Sequence, residues 1–401
     1  MNPVSLKRSL SKLHVTFYGL GTILGAGIYV LVGKVAAKAG LYTPLAFLLA
    51  SFIALFTAIS YAELSSRFPK SAGEAFYVYK AFHKPWLSGL IGWLVVFTGL
   101  VSAAAITRGF VGYVQLFIDV PAWVAIIGLI FLMGGIAIWG IKESVTMVML
   151  ITWIEVGGLL IIIFLAHDSI LRLPSLWHEA PAMGNFEWTG IFSGAFLAFY
   201  AYIGFEDMVN VAEEIKNPEK NLPPAIFWAL GIATLLYILV ALAMILALPM
   251  ETLTQSEAPL ATFIAAKGFS PSLIGLVSLV AIVNGALAQV IMASRVMYGM
   301  AKQHNAPRFL ATVHPHTQTP VMATLLVMMI ILILALWFKI EALAKLTSTV
   351  ILCVFMMIHL ALIRIKYQKE KNEDAVTYSI FFPITGLVLS ILFLLGQFLQ
   401  L

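Results

Sequence analysis

Two kinds of residue interrupt otherwise apolar stretches of this chain, and both bear on chemistry. Glu155 sits in "MLITWIEVGGLLIIIFLA", with no basic residue within one helical turn on either side. Glu206 and Asp207 follow closely on Gly204 in "FYAYIGFEDMVN". Desolvation penalises the ionised form of such carboxyls, so Glu155 and Glu206 are candidates to bind and release a proton as their surroundings change. The alternative for Glu155 is a permanently protonated side chain bonded to a backbone carbonyl. For Glu206 it is a carboxylate that accepts hydrogen bonds from freed backbone N–H groups. The second interruption is "GTILGAGIYVLVG", which places Gly21, Gly25 and Gly27 within seven residues. Glycine is a poor helix former. Where a helix stops and restarts, its unpaired N–H groups attract a carboxylate and its unpaired carbonyls attract an ammonium.

The elements that hold these residues are membrane helices. The chain of 401 residues is 61% hydrophobic and 11% charged, with mean hydropathy +0.98, far beyond what filling a soluble core requires. A bilayer core of about 30 Å takes roughly 20 apolar residues as helix. Charges and prolines divide the chain into eleven predicted spans, at 14–38, 42–68, 85–114, 121–139, 144–166, 188–211, 223–248, 272–301, 320–338, 341–365 and 378–399. The runs are too long and continuous for barrel strands, so the expected class is an all-α membrane protein with one transmembrane domain. Of its 24 Lys and Arg, 17 fall on one side: Lys7 to Lys12, Arg67 to Lys84, Lys142, Lys216 and Lys220, Arg295 to Arg308, and Arg364 to Lys371. That asymmetry places the N-terminus in the cytoplasm, and an odd number of spans puts the C-terminus outside the cell membrane.

The net charge of +5 then belongs to cytoplasmic loops and is not a nucleic-acid signal. Cys353 is alone, which excludes an intrachain disulfide. The first apolar run is too long for a signal peptide and lacks a cleavage site of small residues.

Spans one and six occupy matching places in two groups of five, and both are disturbed by glycine. That arrangement fits a transporter of inverted repeats with discontinuous helices. The glycines of span one alone fit close helix packing better, since Gly21 and Gly25 have small-xxx-small spacing, and it is the matching break in span six with its acidic pair that turns the reading to discontinuous helices.

Four stretches carry a likeness to a known family. "GLGTILGAGIYVLVG", "YAELSSRFPKSAGEAFYVYKAF", "FYAYIGFEDMVNVAEEIKNPEKNLPPAI" and "ASRVMYGMAKQHNAPRFLATVHPHTQTP" resemble, in order, the amino acid–polyamine–organocation (APC) superfamily, from about Leu13 to span ten. The resemblance implies a leucine-transporter-like fold: two inverted five-helix repeats, here 13–166 and 188–366, with helices 1 and 6 broken and a peripheral helix at 376–401. Many members have twelve spans, and this chain seats eleven, which leaves any small membrane partner or homodimer open. The family's carboxylate cradle falls on the backbone N–H groups of Ala26, Gly27 and Ile28. Its amine acceptors fall on the carbonyls of Ile23, Tyr200, Ala201 and Ile203. Side-chain selectivity from spans three, six, eight and ten points to Trp93, Phe97, Tyr202, Phe205 and Gln289, although each aromatic taken alone fits lipid-facing packing better. Some proton-coupled relatives have a lysine on span five, in the place of a sodium site beside spans one and eight. This sequence departs with Glu155, to which Ser294 of span eight is a candidate donor.

The implied activity is alternating-access transport of amino acids, by proton symport or by exchange, with no cofactor. Proton, amino acid and lipid bilayer are the expected partners. A polyamine carrier needs several carboxylates in its site, and spans one, three and eight offer none, so a neutral amino acid is preferred. A membrane enzyme needs a cluster of catalytic polar residues that the short loops lack. A sensor that keeps the fold without turnover stays open. "GLGTILGAG" lacks the Gly-Lys-Ser/Thr ending of a nucleotide-binding loop, and no strand precedes it. Glu63 pairs with Arg67 at i+4 as a structural ion pair. Glu213, Glu214 and Lys216 mark a possible ionic gate or a solvated loop, and His304, His314 and His316 lack the acidic or cysteine partners of a zinc site.

Overall fold

The computed structural model describes residues 10–70, 73–139, 145–171, 188–302, 305–314, 319–368 and 375–399. The described residues are helical apart from connections and one isolated bridge between Leu10 and Ile215. In chain order the helices are α1 (Lys12–Ala39), α2 (Thr43–Arg67), α3 (Gly73–Phe82), α4 (Pro85–Val114), α5 (Ala122–Trp139), α6 (Val145–Leu165), α7 (His167–Leu171), α8 (Trp188–Phe199), α9 (Pro218–Ala247), α10 (Met250–Gln255), α11 (Pro259–Ala266), α12 (Ser272–Lys302), α13 (Val321–Trp337), α14 (Ile340–Tyr367) and α15 (Phe381–Leu399). Two 3-10 segments, Tyr200–Tyr202 and Glu206–Glu214, continue α8.

Among the described residues, seven helical stretches are long and apolar enough to cross a membrane, one of them running from the outer half of α1 through α2. Three shorter apolar helices lie within α5, α6 and α13. The eleven predicted spans map onto α1, α2, α4, α5, α6, α8 with its continuation, α9, α12, α13, α14 and α15.

Local chemistry sets the ends. Proline opens α4 and α11, where its missing N–H has no intrahelical partner to lose. Gly40, at φ +54, closes α1 with its N–H on the Ala36 carbonyl. α9 begins at Pro218, five residues before the predicted span, and carries Pro223 and Pro224 inside it. Pro223 has no N–H for the Glu219 carbonyl, and the Ser66 hydroxyl of α2 donates to that carbonyl at 2.9 Å instead.

α1 packs against α9, α8, α6 and α12, while α2 packs against α9 and α8. α4 lies between α12 and α14, and α13 rests on α5. α15 covers α14 and α2 from outside. At one end of this outer layer, buried Glu63 takes Arg67 Nη2 at 2.7 Å, the Lys366 ammonium at 2.5 Å and the Tyr378 N–H at 3.0 Å. The expected i+4 pair is therefore part of a larger lock that ties α2, α14 and the approach to α15 together.

Candidate functional site

The two broken helices meet at their breaks. α1 is interrupted at Gly25, whose φ −22 and ψ −145 leave the helical region. Ala26, Gly27 and Ile28 follow directly, so their N–H groups stand at the start of the outer half-helix, where no preceding turn supplies carbonyl partners. In span six, Ile203 is extended and Gly204 has φ +127, a conformation that side chains rarely adopt. A Cβ on Gly204 would also lie 2.5 Å from the Thr22 carbonyl oxygen.

The breaks are stitched by side chains. The Thr22 hydroxyl lies 2.9 Å from the carbonyls of both Gly19 and Gly204. Glu206 accepts the Gly204 N–H at 2.8 Å, which holds the unwound segment in shape. Tyr237 reaches in from α9, its hydroxyl 2.7 Å from the Ile23 carbonyl and 2.9 Å from the Ala201 carbonyl. The Tyr200 carbonyl accepts the Ile203 N–H at 3.2 Å. Of the four expected ammonium acceptors, three thus carry an internal hydrogen bond, and two of them share the Tyr237 hydroxyl. Gly27 packs directly on Ala201, where a Cβ would lie 2.5 Å from the Ala201 Cα.

The side chains expected to set selectivity fall in several places. Tyr200 turns its hydroxyl to Ser102 of α4 at 3.1 Å, and Tyr202 donates to the Phe47 carbonyl at 3.1 Å while its ring meets Tyr237. Phe205 is buried between Tyr61 and Phe355. Gln289 donates to Asp207 at 3.3 Å. Trp93 spends its indole N–H on the Asn305 carbonyl at 3.0 Å, and Phe97 is exposed on the α4 surface. The backbone of the two breaks and Gln289 come together, whereas Trp93 and Phe97 stand apart from them.

A cavity of about 350 Å³ opens beside span six, lined among others by Tyr18, Glu74, Val95, Asp207, Asn210, Met292, Arg295 and Asn305. It lies toward the end of the molecule that holds α3 and the loop after α12. Two of its carboxylates, Glu74 and Asp207, come from α3 and span six, outside the spans searched for them by sequence. Glu74 accepts the Tyr61 hydroxyl at 3.2 Å. Burial pushes its carboxyl above the usual range, against the pull of its hydrogen bonds. The opposite end is closed by α10 and α11. A Cβ on Gly33 would lie 2.5 Å from the Leu253 carbonyl oxygen, and Lys34 pairs with Glu257 at 2.9 Å and Glu341 at 3.5 Å.

Glu155 is buried in α6, and neither of its carboxyl oxygens has a hydrogen-bond partner among the described residues. Its backbone carbonyl accepts the Tyr29 hydroxyl at 2.9 Å, and Tyr113 donates to the Tyr29 carbonyl at 2.5 Å. Asn284 of α12 is the polar side chain turned toward the carboxyl. Ser294, the donor expected from sequence, bonds the Ile291 carbonyl at 2.9 Å instead. It lies ten residues beyond Asn284, about 15 Å along the helix, and cannot reach Glu155. Tyr237, Glu74 and Asn284 were not singled out as site residues by sequence, and Asp207 only as the acidic neighbour of Glu206. A Tyr or Asn inside an apolar run is a weak signal, and only the pairing of distant segments gives it a role. Among the described residues no three His, Cys, Asp or Glu gather as a metal site. His304 and His316 lie outside the described residues.

Facing half-helices, a gap-lining cavity at one end and closure at the other define a membrane transporter of leucine-transporter-like fold. The solved structure of MhsT in complex with L-phenylalanine superposes with a TM-score of 0.68 over 99% of this chain and 100% of that one, at 15% identity. The chain belongs to the amino acid permease family, whose family model matches residues 10–400. It is 29% identical to the branched-chain amino acid permease BcaP of Bacillus subtilis, over 92% of this chain and 83% of that protein. It is 30% identical to cationic amino acid transporter 4 of Mus musculus over 92% of this chain, but spans only 62% of that protein's length. The chain is therefore an APC-superfamily amino acid transporter of the membrane, not an enzyme.

Proposed function

We propose that the protein is a proton-coupled symporter of neutral amino acids that works by alternating access across the cell membrane, with the N-terminus cytoplasmic and the C-terminus outside. The two five-helix repeats are 13–166 and 188–366, with 376–401 peripheral. The substrate carboxylate is taken by the N–H groups of Ala26, Gly27 and Ile28. Its ammonium takes the carbonyls of Ile23 and Ala201, displacing the Tyr237 hydroxyl, and those of Tyr200 and Ile203 complete the ring. Tyr202, Phe205 and Gln289 shape the floor from behind. Glu155 is the coupling proton site, with Glu206 as the brace of the unwound segment.

The observation that carries the coupling role is the unpartnered carboxyl of Glu155, attached through its own carbonyl to Tyr29, directly outside the break in α1. A lone ion at that depth is costly, and a proton removes the cost. Gain and loss of that proton change how α6 supports α1, so proton and substrate bias the same element. The test is Glu155→Gln in reconstituted vesicles, which keeps shape and mimics the protonated form. Uptake driven by a pH gradient should fail while substrate exchange survives with little pH dependence. Normal gradient-driven uptake in that variant would end the coupling role.

A second reading has an observation of its own. Glu74 and Asp207 both line the inner cavity, and a cationic amino acid would find two carboxylates there, set against Arg295. The expectation that the site offers too few carboxylates was drawn from spans one, three and eight alone.

A further inference from the structure

The inner cavity beside span six carries charges of both signs that the scheme of Glu155 and the two breaks does not use. Ala288, Ile291, Met292, Arg295, Val296 and Gly299 form one wall, at the three- and four-residue spacing of a single helix face. Arg295 is the charged residue of that stripe and makes no ion pair among the described residues. Asp207 and Glu74 face the same space from span six and α3. We propose that this cavity is a second amino acid station, with Arg295 taking the α-carboxylate and Asp207, beside Glu74, taking the α-ammonium. It rests on the reading of the breaks as the main site only for its place along the path.

Three observations point to a ligand of both signs. The first is unspent charge. Asp207 accepts Gln289 on Oδ2 at 3.3 Å, and its Oδ1 has no hydrogen-bond partner among the described residues. The Glu74 charge is near enough to act on Asp207, and a cation between two carboxylates relieves their repulsion. A metal ion or a simple amine would leave the Arg295 fork empty, and a simple anion would leave the carboxylates facing each other. An α-amino acid answers both.

The second observation is spacing. Arg295 lies six residues past Gln289 on α12, about 9 Å along the helix, and Gln289 marks the level of Asp207. Two charge-assisted contacts of about 2.8 Å, joined by the roughly 3 Å from an α-ammonium to its carboxylate, span about 8–9 Å. The head groups of one amino acid therefore bridge the two levels.

The third is room. The cavity, at about 350 Å³, falls within the roughly 300–1,000 Å³ of small-molecule pockets. Val95, Ile291, Met292 and Val296 give it apolar surface that accepts a side chain without selecting one. The station reads the head groups and leaves the choice of side chain to the breaks, so it serves neutral and cationic amino acids alike.

The station is distinct from the breaks. Tyr18, which lines it, precedes Gly25 by seven residues, about 10 Å along α1. Ionic contacts open to water are weak. The station accordingly binds with a Kd on the order of 1 mM and does not register when a titration follows the breaks.

The experiment is alkylation of Val95→Cys in a Cys353→Ser background, in proteoliposomes without a pH gradient, by a membrane-impermeant reagent from the open side. L-Leucine is the probe, since the station does not depend on the side chain. About 10 mM L-leucine should slow alkylation about tenfold. The analogues 4-methylpentanoate and 3-methylbutylamine each carry one of the two charges and should slow it less than about twofold. Protection should persist in Gly27→Ala, where the cradle at the breaks is filled. It should vanish in Arg295→Gln and Asp207→Asn and return in part in Arg295→Lys. Loss of protection in Gly27→Ala would place the ligand at the breaks and overturn the station. Equal protection by 4-methylpentanoate would leave an anion site only, and unchanged protection in Arg295→Gln would remove the carboxylate contact; either result overturns it as well. Alkylation rates without ligand that match the parent show that a variant keeps the cavity. With no gradient imposed, the outcome is the same for a symporter and for an exchanger, so it stands or falls apart from the coupling role of Glu155.

Discussion

The hydroxyl of Tyr237 lies 2.7 Å from the carbonyl oxygen of Ile23, at the break in the first helix, and it touches the Ala201 carbonyl of the sixth from the same position. One phenol from α9 thus reaches both carbonyls of the proposed ammonium pocket. Removal of that hydroxyl takes away the single O–H donor that two buried carbonyls share, which costs about 1–3 kcal/mol. Tyr237→Phe should lower the Tm of the substrate-free protein. Saturating substrate should then raise Tm by more than in the parent, since the ammonium supplies the missing donor. Equal ligand shifts in both proteins would mean that Tyr237 and the ammonium do not share these acceptors.

Gly27→Ala should abolish substrate binding while the protein still inserts. The added methyl would lie 2.5 Å from the Ala201 Cα and 2.6 Å from its Cβ, so spans one and six must part where the carboxylate is to be held. The compensating pair Gly27→Ala with Ala201→Gly removes the second of those clashes and should restore part of the affinity, measured by isothermal titration. Retained affinity in the single variant would place the cradle elsewhere.

The charge class of the substrate has a pH signature. On the neutral reading, lysine and arginine do not compete for uptake at any pH, and Glu74→Gln leaves the affinity for the neutral substrate within about twofold. The cationic reading gives the reverse. Because burial lifts the Glu74 carboxyl above its ordinary range, mild acidification would add its proton, remove the charge and weaken cation binding. Glu74→Gln would then cost roughly tenfold at neutral pH and flatten that dependence. Competition assays at several pH values decide between the two.

Lys34 joins α1 to Glu257 and to Glu341 of α14 on the closed side. The Glu257 carboxylate is largely in solvent, so the clasp is worth no more than about 1 kcal/mol. Lys34→Gln should accordingly shift the balance away from the state with the inner cavity open by up to about fivefold. A cysteine placed at Val95, which lines that cavity, reports the shift as slower alkylation by a membrane-impermeant reagent from the open side. High salt should produce the same slowing in the parent and none in the variant.

What could be read directly from the sequence was whatever depends on neighbours along the chain. Span positions follow from runs of apolar residues, because lipid forces each run to satisfy its own backbone as helix. The break at Gly25 and the positive-φ turn at Gly204 were legible for the same local reason: glycine is where a helix can stop at little steric cost. Even Glu63 with Arg67 is a contact between successive turns, whereas its second cation, Lys366, comes from 303 residues away. Tertiary structure decided everything that needs two distant segments in register. Ser294 and Asn284 lie on the same helix, and nothing local tells which one faces Glu155; the rotation and depth of α12 against α6 choose Asn284. Trp93 had the composition of a site aromatic, yet the loop after α12 claims its N–H. Glu74 was one more acidic residue in a connecting helix until α3 folded under the bundle and carried its carboxylate to the cavity that Asp207 also lines. Side-chain partners across 100 or 200 residues are set by helix packing angles and by which polar groups must be paired away from water, and neither quantity is written in any one stretch of sequence.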